Sequence, residues 1–176
     1  MKTLIVVDMQ NDFIDGALAN PAAAAIVEPM VEYIKNFEGN VIFTQDTHYH
    51  DYLKTQEGRN LPIPHCMYNT EGWEINDELF QAVLDDKRKN FDWCAVDKES
   101  FGDSSAIEDE LIGENIDEIY LCGTCTDICV ISVALNLKAF DPEVKMYCIA
   151  NLCAGLTPEK HAAALEVMRS CQIEVI

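Results

Sequence analysis

Positive charge is scarce in this chain. Twelve Lys and Arg stand against 31 Asp and Glu, for a net charge of -19 at pH 7. A surface of that sign repels phosphate backbones and anionic headgroups, so nucleic acid is excluded as a partner and no membrane partner is expected. The acidity itself means chiefly solubility, and it suits a small substrate that is neutral or cationic. Long apolar runs are missing too. The first, Thr3 to Val7, meets Asp8 at once and is too short for a signal-peptide core or a membrane span. No repeat, linker or low-complexity tract interrupts the 176 residues, which read as one domain over 1–176, long enough to bury a core. The short secreted context that would make eight cysteines a disulfide framework is also lacking. Most of them lie in apolar segments such as Met146 to Ile149, and reduced thiols in a cytoplasmic setting are expected.

What is present is alternation. The run Thr3–Val7 is apolar throughout, as a strand buried on both faces would be. Residues 21–37 carry apolar side chains at helical spacing after the Asn20-Pro21 start signal. Residues 40–44 read as a second strand, a polar Gly- and Pro-containing stretch follows as a loop, and 74–84 reads as a helix. Further on, strands at 90–95, 118–122, 144–150 and 173–176 alternate with helices at 104–112, 127–140 and 158–171. Ser104 or Ser105 would cap the first of these. The pattern specifies a three-layer α/β/α domain with a mainly parallel, Rossmann-like sheet. In such a sheet functional groups gather at the carboxyl ends of the strands. Those ends carry Asp8, the segment Asp46-Thr47-His48, and the segment Cys122-Gly-Thr-Cys-Thr-Asp-Ile-Cys129.

Three cysteines in eight residues admit several readings. A structural zinc or iron–sulfur site wants four ligands, and only three thiols are here. Cys122 and Cys125 have C-x-x-C spacing, but a redox pair of that kind places its first cysteine at a helix start, whereas Cys122 falls at a strand end. Cys129 falls in the first turn of the 127–140 helix, where orphan N–H groups and the helix dipole favour a thiolate and can receive an oxyanion. A buried structural thiol remains open at that position. Asp8, at the end of an apolar strand, needs a partner if buried, and Lys98 follows the third strand. An Asp, a Lys and a Cys meeting at one sheet edge would perturb one another strongly.

The segment Asp8-Met-Gln-Asn-Asp-Phe13, the Lys98 position, and Gly123-x-x-Thr126-Asp127-x-Cys129-Val130 together resemble the isochorismatase-like cysteine hydrolases, over essentially the whole chain. The resemblance implies Asp8 as general base, Lys98 as charge stabiliser and Cys129 as nucleophile. It also implies a cis peptide between Thr124 and Cys125, with the Cys125 and Cys129 N–H groups as oxyanion hole.

Asp46, His48, Glu57 and His65 offer nitrogen and oxygen donors suited to one divalent ion: zinc, with iron or manganese as alternatives. This set resembles the nicotinamidase branch, which implies conversion of nicotinamide to nicotinate and ammonia, as in NAD salvage. Two departures stand out. Lys54 occupies the place where many members have a further His, leaving Glu57 to substitute. Residues 61–64 lack the Trp that usually precedes the last ligand, so Phe13 is the candidate wall for a substrate ring. The resemblance implies a small-molecule amide substrate and a homo-oligomer. A sibling amidohydrolase acting on another amide or carbamoyl compound, and a thiol-redox or metal-sensing protein, are the competing readings.

Overall fold

The computed structural model describes residues 1–176, apart from the side chain of Asp86. Six strands form one sheet: β1 (Lys2–Val7), β2 (Asn40–Asp46), β3 (Trp93–Lys98), β4 (Glu118–Thr124), β5 (Lys145–Ala154) and β6 (Glu174–Val175). Their order is β3-β2-β1-β4-β5-β6, and every pairing is parallel. Leu4, Ile5, Val6 and Val7 of β1 are fully buried, as the unbroken apolar run requires of a central strand covered on both faces.

The helices are α1 (Asn11–Ile14), α2 (Pro21–Ala25), α3 (Val27–Asn36), α4 (Gln56–Asn60), α5 (Asp77–Val83), α6 (Ser105–Leu111), α7 (Ile131–Phe140) and α8 (Pro158–Ser170). Helix α3 packs on α5, and α7 on α8. Chain direction across the sheet reverses at β1, so right-handed crossovers send the early and late helices to opposite faces. The result is the three-layer α/β/α architecture.

Several boundaries differ from the sequence expectation. The single helix expected over 21–37 is two, broken at Ile26. Pro29 is the cause. Its ring would strike the Ala25 carbonyl and it has no N–H to donate, so it is tolerated only in the first turn of a new helix. Asn20 caps the first piece as expected, accepting from Ala22 N at 3.0 Å. For α6 the side chain that accepts the Ser105 N–H is Asp103, at 3.0 Å. The third strand runs later than 90–95, so Lys98 is its last residue and does not follow it. The helix expected over 127–140 opens instead with a π-type turn, Thr126–Val130, and becomes α-helical at Ile131.

Candidate active site

Register builds the site. Val7 pairs with Thr44 on one side and Gly123 on the other, so Asp8, one residue on, emerges between the ends of β2 and β4. On the next strand Asp46 pairs with Lys98. Two carboxylates and an ammonium are thus brought to one edge by pairing alone. The fit at β1–β4 is close. A Cβ on Gly123 would lie 2.1 Å from the Val7 carbonyl oxygen, and Gly123 holds φ +120, where only glycine is free of strain. Asp8 itself holds φ 50. A non-glycine residue in that region costs of order 1–3 kcal/mol and marks places where geometry is imposed for function.

Asp8 is fully buried. The Thr44 hydroxyl donates to its Oδ1 at 2.6 Å, and Lys98 Nζ lies 2.8 Å from its Oδ2. Lys98, also buried, donates to Asp46 Oδ1 at 3.2 Å. Cys129 lies close enough to this pair that Asp8 and Lys98 both bear on its thiol. Burial raises the Asp8 carboxyl above the ordinary range, since the Lys98 charge does not fully compensate. Lys98 is held firmly protonated, because Asp8, Cys129 and Asp46 outweigh the cost of its burial. The Cys129 thiol is pushed well up, by burial first and by Asp8 second. The helix-mouth position favours a thiolate, but burial beside Asp8 works against it and the thiol keeps its proton at rest. The dipole of a short turn is outweighed by desolvation beside a carboxylate. Such a thiol needs a base at hand when it attacks, and Asp8 is placed to be one.

The peptide between Thr124 and Cys125 is cis. Beyond it, the N–H groups of Ile128 and Val130 both donate to the Cys125 carbonyl, at 3.0 and 3.1 Å. The turn so formed presents Cys129 to Asp8 and Lys98.

Beside this trio, Asp46, His48, Glu57 and His65 each bring one donor atom to within 4.8 Å of the others. A tetrahedral ion with donors about 2.1 Å away sets those donors roughly 3.4 Å apart. The measured separations are 3.0 Å (Asp46–His48), 3.5 Å (His48–Glu57 and Asp46–His65) and 3.9 Å (His65–Glu57). His65 Nδ1 pairs with the Ile63 carbonyl at 2.8 Å, which turns Nε2 towards the cluster. His48 Nε2 is buried without an aligned hydrogen-bond partner among the described residues. Counting Asp8 and Lys98, three carboxylates face one ammonium, an excess of two negative charges that a divalent cation balances. The residues present fit such an ion.

Phe13, in α1, stands edge-on to His65 with ring centroids 5.7 Å apart, which puts it beside the four-donor cluster. The second loop histidine, His50, is not part of the four-donor group.

Other supporting residues were not singled out by the sequence. Gln10 clamps Asp46 from both sides: its Nε2 donates to the Asp46 carbonyl at 2.9 Å, and its Oε1 accepts the Asp46 N–H at 2.8 Å. Asp12 accepts from the N–H of Cys66 at 2.7 Å, which fixes the chain next to His65. Tyr52 packs on His48 and His65, with centroids at 4.6 and 5.3 Å, and its hydroxyl donates to the Leu61 carbonyl at 2.8 Å. Gln10 and Asp12 lie inside the 8–13 motif, so a signal for them existed; Tyr52 sits in a loop with no periodicity to read.

Comparison with known proteins bears on the family and the fold. The model of the isochorismatase domain matches residues 2–176. This chain belongs to the isochorismatase family. Among curated relatives, the nicotinamidase of Schizosaccharomyces pombe is 27% identical, over 98% of this chain and 91% of its own length. The solved pyrazinamidase of Pyrococcus horikoshii in complex with zinc superposes with a TM-score of 0.77 at 30% identity, covering 99% of this chain and 98% of that one. The N-carbamoylsarcosine amidase of Thermoplasma acidophilum gives 0.73 at 26% identity, over 99% and 94%. The isochorismatase fold is thus shared along the full length of these chains. No helix of this member is long and apolar enough to cross a membrane.

Proposed function

We propose that this chain is an amidohydrolase that converts nicotinamide to nicotinate and ammonia through a thioester on Cys129. The observation that carries the reading is Lys98, which joins Asp8, beside the thiol, to Asp46 of the four-donor cluster within one buried space. The nicotinamidase and zinc-bound pyrazinamidase relatives support it.

Asp8 takes the Cys129 proton as the sulfur closes on the carboxamide carbon. Its raised affinity for a proton suits that task. Charge then develops on the carbonyl oxygen, which the N–H groups of Cys125 and Cys129 receive; one such donor is worth about 3–4 kcal/mol. Asp8 returns the proton to the departing nitrogen and ammonia leaves. Water next attacks the thioester with Asp8 again as base, releasing the acid and restoring the thiol. Lys98 keeps its charge throughout, stabilising ionised Asp8 and the transient thiolate. Phe13 closes one side of the ring pocket. Asp46, His48, Glu57 and His65 would hold a divalent cation, zinc before iron or manganese, which would supply Lewis-acid chemistry beside the substrate ring.

A second reading is hydrolysis of another small amide or carbamoyl compound, favoured by the likeness to the carbamoylsarcosine amidase. Ammonia release decides between them when nicotinamide and a carbamoyl amino acid are compared on native, chelated and metal-restored protein. Preference for nicotinamide that depends on metal supports the first reading, and preference for the carbamoyl compound regardless of metal overturns it. Cys129→Ala should fall below a few per cent of native turnover with fold and metal retained; higher residual activity rejects Cys129 as nucleophile. The resemblance further supports a homo-oligomer, which gel filtration tests. The eight unpaired thiols support a reducing, cytoplasmic setting.

A further inference from the structure

Cys148 and Cys153 take no part in the chemistry above, yet both are buried and their sulfurs lie 3.7 Å apart. A fault in the ladder explains the approach. Leu121 pairs with Cys148 and Gly123 with Cys153, so β5 spends five steps where β4 spends two. The intervening residues, exposed Asn151 among them, fall outside the register. Two steps along a strand span about 6.6 Å. That lies inside the roughly 4.4–6.8 Å between Cα atoms that a disulfide bridges.

We propose that Cys148 and Cys153 are a peroxide-oxidisable dithiol whose closure to a disulfide disables the neighbouring site. Cys148 is the attacking sulfur. Either sulfur can donate across the 3.7 Å contact; when Cys153 donates, the Cys148 thiol is pulled below the usual range, with burial opposing and Arg169 adding to the effect. The Cys148 thiolate attacks one oxygen of hydrogen peroxide, the O–O bond breaks, and the departing hydroxide takes a proton to become water. The sulfenic acid so formed is attacked by the Cys153 sulfur; the S–O bond breaks, a second water leaves with the Cys153 proton, and the S–S bond forms. Two thiols are oxidised and one peroxide is reduced to two waters.

The coupling runs through the next residues. Cys153 pairs with Gly123, and the carbonyl of Ala154 accepts the Thr124 hydroxyl at 3.2 Å. That hydroxyl lies 3.4 Å from the sulfur of Cys125, one of the two proposed oxyanion donors. Bringing the sulfurs from 3.7 Å to a bond length of about 2 Å moves this end of β5. Misplacement by about 1 Å costs on the order of a hundredfold in rate.

Trypsin places both cysteines in one peptide, Met146–Lys160. Folded protein is treated with limiting hydrogen peroxide, unfolded, alkylated and digested. The proposal expects that peptide to lose both alkyl groups and two hydrogen masses, and to regain both thiols with dithiothreitol. Full alkylation of the peptide under conditions that oxidise the half-buried Cys171 overturns the dithiol. The second half rests on the proposed amidase reading. Ammonia release should fall at least tenfold on oxidation and recover on reduction, and Cys148→Ser or Cys153→Ala should resist that loss. Equal, irreversible loss in those variants overturns the coupling and points to Cys129 oxidation. Failure of untreated enzyme to release ammonia would sink the amidase reading alone, since the alkylation result stands without it.

Discussion

Replacing Lys98 by Met keeps the length of the side chain and removes one buried charge. The ammonium lies 2.8 Å from Asp8 and 3.2 Å from Asp46 and is 2% exposed, so no water replaces it. Removing one partner of a buried pair costs about 3–5 kcal/mol. For a chain of this size each kcal/mol is worth roughly 2–4 °C in Tm, so a melt should fall by roughly 6–20 °C. The loss should depend on pH in a particular direction. Burial already raises the Asp8 carboxyl, and without Lys98 it rises further. A folded carboxyl that binds its proton more tightly than the unfolded one adds stability that is present at low pH and lost as pH rises through the folded value. The Tm deficit of Lys98→Met should therefore narrow on acidification from about pH 8 to pH 5, by up to about 1.4 kcal/mol per pH unit inside the titration window. Catalysis suffers separately, because protonated Asp8 cannot accept the thiol proton; a general base is worth on the order of 10²–10⁴ in rate. Scanning fluorimetry across pH, with ammonia release on the same samples, reads both effects. A variant that melts within about 2 °C of native and keeps more than a tenth of the turnover refutes the shared-ammonium account.

Three further outcomes are expected. In protein stripped of metal, burial disfavours a charged His48, but Asp46 and Glu57 outweigh it and push its pKa up to about 9. Metal entry must then displace that proton, so affinity measured by competition with a chromophoric chelator should rise about tenfold per pH unit below 9, and a flat profile removes His48 from the ligand set. Gly123→Ala forces a Cβ against the Val7 carbonyl at 2.1 Å in a left-handed conformation, and should cost roughly 3 kcal/mol with loss of turnover. An unchanged urea midpoint would show that β1 and β4 can separate freely. Arg88 is buried and donates to the carbonyls of Ile34, Phe37 and Gly39 at 2.9, 2.7 and 2.8 Å, closing the end of α3. Arg88→Met should cost about 3 kcal/mol with kcat intact, and a simultaneous loss of kcat would contradict that purely structural role.

The central strand was legible because an apolar run leaves few alternatives, and the sheet followed from regular alternation with helices. Asp8 and Asp46 could be placed at strand ends because apolar runs stop there. Boundaries failed where one residue overrides a periodic signal. Pro29 divides a helix whose apolar spacing continues across the break. The turn at Thr126–Val130 closes on the Cys125 carbonyl through the Ile128 and Val130 N–H groups, a choice of acceptor that periodicity does not encode. How strongly the Cys129 thiol holds its proton was not legible in the sequence for a related reason. A helix-mouth argument counts nearby N–H groups, whereas the dominant influence is burial against Asp8, a partner more than a hundred residues away in sequence. Tyr52 went unnoticed because a polar side chain that ties down backbone has no repeat to betray it, whereas Gln10 stood in a motif that marks the segment without stating each residue's task.

The strand order has a consequence for how the molecule comes into being. β1 precedes the other five strands in the chain but lies in the middle of the sheet, with β2 on one flank and β4 on the other. During synthesis it can pair with β2 and gather Asp8, Asp46 and the loop histidines while β4 is still untranslated. The sulfur of Cys129, the proposed nucleophile, thus arrives after the other groups of the site, into surroundings already assembled to receive it.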